Sequence, residues 1–161
     1  MLAAECAWTI LRAEHARMRE LLMLLDERLR AADWPGVGAH IDRLQAFEKA
    51  THSPKGVVLL GLMRGRSAEA DSLLDLLARE SSRCDELLAQ ATAALQGADI
   101  KSEAAEALRA VLDEHRQLML AHLDREDTLL HSQTAQLITP EEWAAVVSSI
   151  SAAMGAATRR A

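Results

Sequence analysis

The sequence predicts an all-α fold: an up-down-up-down four-helix bundle with an additional short C-terminal helix. Three observations predict it. Apolar residues recur every three or four positions along four long stretches, short Pro/Gly-containing or polar segments separate those stretches, and no stretch alternates with the period of two that marks a strand. Helices joined by short connections pack side by side and antiparallel. At 161 residues, half of them hydrophobic, the chain has the size of one domain over residues 1–161.

The first helix is expected over about residues 3–32, where Trp8, Leu11, Met18, Leu22, Leu25 and Leu29 form an apolar stripe that also contains His15. Asp33-Trp34-Pro35-Gly36 should break it, because a residue before proline avoids helical geometry and glycine is permissive. A second helix follows on Val37, Ile41, Leu44, Glu48 and His52, is expected to kink at Ser53-Pro54, and resumes through Val57–Leu60 to Met63. Ser67 is placed to cap a third helix reaching Gln96, with a stripe of Ala70, Leu74, Leu77, Ser81, Cys84, Leu88, Ala91 and Leu95. Gly97-Ala98-Asp99 should end it, and a fourth helix should run from Ser102 to Ser132. Thr139-Pro140-Glu141-Glu142 has a cap residue, proline at the first helical position and a glutamate three after the cap. It opens a short fifth helix to about Ala156, with Thr158–Ala161 fraying.

Composition excludes several roles. Asp and Glu outnumber Lys and Arg by 24 to 18, for a net charge of −6, so no basic surface is available for nucleic acid. Three Trp and one Phe provide no base-stacking platform. Cys6 and Cys84 are far apart and form no C-x-x-C, so neither a disulfide framework nor a thiolate zinc site is indicated. With no signal peptide and no run of apolar residues long enough to span a membrane, a reducing, cytoplasmic setting is expected. No nucleophile–base pair or phosphate loop is visible, so catalysis is not indicated.

The candidate chemistry lies in histidines on apolar stripes. His122 and Glu126, four residues apart on the fourth helix, aim the same way. His15 and His52 lie near the middle of the first and second helices, so all three rings can meet at one depth of a bundle. Buried polar groups need partners, since an unpaired one costs roughly 2–7 kcal/mol. Three imidazoles and a carboxylate suit a single Fe or Zn ion. Each His also has an ordinary reading as a hydrogen-bonded core residue, and Glu126 one as an ion-pair partner. His115 is a substitute ligand at most, Glu48 a reserve carboxylate, Asp127 a solvated flank, and His40 and His131 are expected at the surface. Cys84 reads as a small core hydrophobe, and Met18, Met23, Met63 and Met119 as core residues. The apolar residues at 118, 119, 129 and 130 mark the face around His122 as buried.

Four segments resemble the hemerythrin-like, or HHE cation-binding, domains over nearly the whole chain. They are Ile10-Leu11-Arg12-Ala13-Glu14-His15, His52-Ser53-Pro54-Lys55-Gly56-Val57-Val58-Leu59-Leu60, His122 to Asp127, and Leu137-Ile138-Thr139-Pro140-Glu141-Glu142-Trp143. The resemblance implies a di-iron site used for O2 or NO binding, iron handling or redox sensing. By position, His15 and His52 would serve one iron, His122 the other, and Glu126 would bridge. Gly56 stands where a second bridging Glu is expected and Ser81 where a third-helix His is expected, with Asp85 the nearest alternative for a second His. These departures disfavour a dinuclear centre and favour one metal ion held by His15, His52, His122 and Glu126, in a sensor or store for a redox or diatomic ligand. Two alternatives stay open: a metal-free interaction or dimerisation module, and a haem or small-molecule pocket opened by the lost side chains. Either monomer or homodimer is compatible.

Overall fold

In the computed structural model, residues 2–97 and 100–158 are described. The expected helix stop at Ala98 and Asp99 and the expected fraying of Arg159, Arg160 and Ala161 lie outside them. The helices are α1 (Leu2–Arg30), α2 (Trp34–Phe47), α3 (Ser53–Met63), α4 (Ala68–Leu95), α5 (Ser102–Arg125), α6 (His131–Leu137) and α7 (Pro140–Thr158). Two π-helical turns, Glu48–His52 and Glu126–Leu130, join α2 to α3 and α5 to α6. The result is five rods: α1, α2–α3, α4, α5–α6 and α7. The first four close a ring, with α1 against α2 and α5, and α4 against α2, α3 and α5; α7 lies on α1 and α3.

Local chemistry sets the boundaries. Asp33 caps α2 by accepting from the Gly36 N–H at 3.0 Å, and Pro35 sits in the first helical turn, where a missing N–H costs nothing. The helix therefore begins at Trp34, inside the segment expected to be a break. A Cβ on Gly36 would lie 2.1 Å from Asp33 Oδ2, so the cap requires glycine there. Ser67 accepts from the Ala70 N–H at 3.0 Å. Thr139 and Glu142 form a reciprocal capping box at the start of α7: Thr139 N–H donates to Glu142 Oε2 at 2.9 Å, and Glu142 N–H to Thr139 Oγ1 at 3.3 Å.

The second rod does not simply kink at Pro54. It widens beforehand into the π-helical turn, in which the Ser53 N–H reaches the Glu48 carbonyl five residues back, moving the chain away from the clash that proline makes with a regular turn. The fourth rod runs to Leu137 rather than Ser132, and Ile138 is extended ahead of Thr139-Pro140. The fifth helix covers Pro140–Thr158, 19 residues. Met23 and Leu129 are exposed rather than core, at 55% and 51%; Leu129 lies inside the second π-helical turn, where extrapolated α-periodicity no longer holds. His40 is buried rather than exposed, its Nδ1 donating to the Gly36 carbonyl at 2.8 Å.

Apolar side chains gather in two clusters. One is built on Met18, Leu22, Leu25, Ile41, Leu88 and Leu112, the other on Trp8, Leu11, Leu59, Met63, Trp143 and Val146. His15, Glu80, His122 and Glu126, all buried, come from the parts of α1, α4 and the fourth rod that lie between these clusters. Trp143 carries α7 into the second cluster at 4% exposure. Trp143→Ala should therefore cost about 3–5 kcal/mol of stability, read by urea unfolding with an unchanged m-value; a loss below about 1 kcal/mol would show α7 to be dispensable to the core.

Candidate metal centre

His15, His52 and Glu126 offer donor atoms that all lie within 4.8 Å of one another. Glu126, at the start of the second π-helical turn, is the hub. Its Oε2 lies 2.9 Å from His15 Nε2 and 3.6 Å from His52 Nε2, while its Oε1 lies 3.2 Å from His122 Nε2. The rings of His15 and His52 meet edge to face, with centroids 4.9 Å apart. His122 thus reaches the same carboxylate from its other oxygen and stands outside the three-residue group.

Each ring is oriented through its other nitrogen by a carboxylate from a different rod. His15 Nδ1 lies 2.6 Å from Asp127 Oδ1, His52 Nδ1 3.1 Å from Glu14 Oε2, and His122 Nδ1 3.2 Å from Glu80 Oε2. An ionised carboxylate only accepts, so these contacts place a proton on each Nδ1, and a neutral ring then directs its Nε2 lone pair inward. Every one of these carboxylates is in turn held by a cation. Arg19 donates to Asp127 Oδ2 at 2.8 Å, Lys55 donates to Glu14 and to the Thr51 carbonyl, and Arg125 donates to Glu80.

The electrostatics follow from this layout. Burial pushes the Glu126 carboxyl upward, but its contacts with His122, His15 and His52 outweigh burial and hold it well below the ordinary range. Burial would lower His52, yet Glu126 and Glu14 raise it to about 9; His122 is likewise lowered by burial and raised overall by Glu126 and Glu80. Without a metal, His52 and His122 therefore favour holding protons against Glu126.

The donor set fits a cation on a further count. His15 Nε2 is buried and close to Glu126, but no hydrogen bond aligns along that direction. A lone pair facing a carboxylate oxygen needs a positive charge between them, either a proton or a metal ion. Imidazoles whose second nitrogen is fixed by a carboxylate, with an inner carboxylate opposite, form the arrangement that transition metals take in proteins.

Other residues fall as follows. Gly56 adds no donor, and open space surrounds the position a Cβ would occupy. Asp85 is exposed and contributes nothing to the group. Asp127, expected as a solvated flank, instead orients His15: the turn from Glu126 to Leu130 is underwound and brings it back toward α1. Glu48 accepts from the Ser53 hydroxyl at 3.3 Å. His131 packs edge-on against Trp8 rather than lying free at the surface. Cys84 is buried, and burial first, then Glu48, Asp85 and Glu80, push its thiol up to about 12, which keeps it inert.

Glu80 had no role in the sequence reading, although it sits three residues after Leu77 and four before Cys84 and so falls on the same stripe. Glu14, Arg19, Lys55 and Arg125 had none either. A further signal was available: each candidate histidine is followed on its own rod by a basic residue three or four positions on, in the pairs His15/Arg19, His52/Lys55 and His122/Arg125.

The family model described as the Hemerythrin HHE cation binding domain matches residues 6–133. No curated protein and no solved structure matches the chain. Among the described residues, no helix is long and apolar enough to cross a membrane.

His115, on α5, is fully buried with no hydrogen-bond partner for either ring nitrogen, and burial lowers its pKa to about 4. Its folded value lies below the unfolded one near 6.5, so the unfolded chain takes the proton first as pH falls, and folding stability is lost between about 6.5 and 4. His115→Leu should remove that loss. In chemical denaturation across this window, the variant should gain roughly 2–3 kcal/mol relative to the parent; a difference that does not change with pH would contradict a neutral, unpartnered ring.

Proposed function

Because the chain belongs to the hemerythrin HHE cation-binding domain family, we propose that it holds one divalent transition-metal ion, Fe(II) or Zn, on His15, His52 and Glu126, with His122 completing the set. The protein then acts as a sensor or store that binds a small ligand reversibly, and not as an enzyme. The observation that carries this reading is the threefold repeat of inward Nε2, carboxylate on Nδ1, and cation on the carboxylate, centred on one buried Glu126.

A bound ion would supply an electrophilic position for a diatomic or anionic ligand. The chain's own groups supply the rest. Asp127, Glu14 and Glu80 fix the ring tautomers, and Arg19, Lys55 and Arg125 keep those carboxylates from collapsing inward. A second ion beside His122 finds little to hold it. Gly56 has no side chain, and both oxygens of Glu80 are committed, one to Arg125 and one to His122. One ion rather than two is therefore the reading that the ligand count supports.

Anaerobic Fe(II) or aerobic Zn(II) titration of the purified chain, with elemental analysis after desalting, should give one equivalent. Glu126→Ala should abolish retention, and Glu80→Gln or Glu14→Gln should weaken affinity by about 10–100-fold while leaving the helical circular-dichroism signal intact. Two equivalents, or one retained in full by Glu126→Ala, would contradict the proposal.

A further inference from the structure

A cavity of about 460 Å³ opens onto the candidate metal centre from the side of α3 and α4, with His52, His122 and Glu126 among the groups that line it. Its size is inconsistent with a diatomic ligand alone, which occupies little more than a water's share of volume, roughly 30 Å³; it falls within the range of pockets for small organic molecules. Val57, Leu60, Leu74 and Leu77 give it apolar walls. Gly56 and Gly61 also line it, and nothing lies within 4 Å of a Cβ built on either. Side chains at these two positions would meet open space there.

Charge selects what can enter. At the outer part, Arg64, half-exposed, pairs with Asp75 at 2.8 Å. At the inner end, the three orienting carboxylates are each offset by a cation. One divalent ion on neutral imidazoles and Glu126 would leave a single positive charge there. Glu48, whose carboxylate accepts from the Ser53 hydroxyl, is a further acidic group lining the cavity at the His52 end.

We propose that this cavity takes a monocarboxylate with an apolar body, its head at the His52–His122–Glu126 end and its hydrocarbon along Val57, Leu60, Leu74 and Leu77. This rests on the single-ion reading above.

The test uses the full chain loaded with Co(II), metal content being measured before any ligand is added. Calorimetric titration with butanoate, hexanoate and octanoate should show affinity rising about fourfold per methylene, and octanoate should perturb the visible Co(II) bands. Gly56→Leu, which places side chain in open space on a helix, should retain one equivalent of metal and lose octanoate binding by at least tenfold. Affinity independent of chain length in protein shown to carry one equivalent, or octanoate binding unchanged in Gly56→Leu, overturns the cavity assignment and leaves the metal reading standing. Failure to load metal overturns the single-ion reading first, and with it the placement of the carboxylate head.

Discussion

An ionised carboxylate in the middle of the bundle is the constraint around which the rest is arranged. Glu126 is buried between two apolar clusters, where an uncompensated charge would cost several kcal/mol. Three imidazoles from three rods surround it, so removing any one rod exposes the charge to the low-dielectric interior. The fold and the site therefore depend on each other. Register between α1, α2–α3 and α5–α6 is fixed by which Nε2 reaches which Glu126 oxygen, whereas leucine-on-leucine packing would tolerate slippage by a turn.

The two π-helical turns serve this constraint. Both fall on rods that contribute to the layer, one ending at His52 and the other beginning at Glu126. An inserted residue in a helix shifts the angular position of everything after it. On the second rod it lets His52 face the interior, while Lys55, in the next turn, reaches back across to Glu14. On the fourth it allows two adjacent acidic residues to serve different partners, Glu126 the ring nitrogens at the centre and Asp127 the outer face of His15. Regular α-helical spacing would send side chains of consecutive residues about 100° apart, and only one of them would be useful.

Regular periodicity also explains what could be read in the sequence and what could not. The helical rods, the caps at Ser67 and Thr139, and the inward phase of His15 and His122 follow from spacing and cap chemistry, which are local. Asp127, Leu129 and the start of the second rod's distortion do not, because an α-helical wheel applied across a π-helical turn assigns the wrong face. Asp33 with Gly36 deceived for a different reason: the same residues that end one helix cap the next, and Pro35 belongs to the start of α2. Glu80 lies on the α4 stripe beside the smaller Ser81 and Cys84, where a charged side chain gives no local signal of its partner. Its role is visible only once α4 and α5 are known to be neighbours, since it serves a histidine 42 residues away.

The outer shell decides how much charge the centre can carry. Asp127, Glu14 and Glu80 each have a cation of their own, so these three pairs are close to neutral, and the central region's charge is that of Glu126 plus whatever the imidazoles hold. Protons fill that role in the metal-free chain, as the raised values of His52 and His122 indicate. On the proposed reading one divalent ion would replace them and leave a small positive excess. A second would raise the excess to three charges, and Glu48, in the adjoining cavity, stands outside the donor group, so another carboxylate would be needed. Turning Glu80 inward to supply one would strand Arg125 and release His122 from its orienting partner, undoing the geometry that made the first ion favourable. The same pairings that sharpen the site for one ion thus work against two.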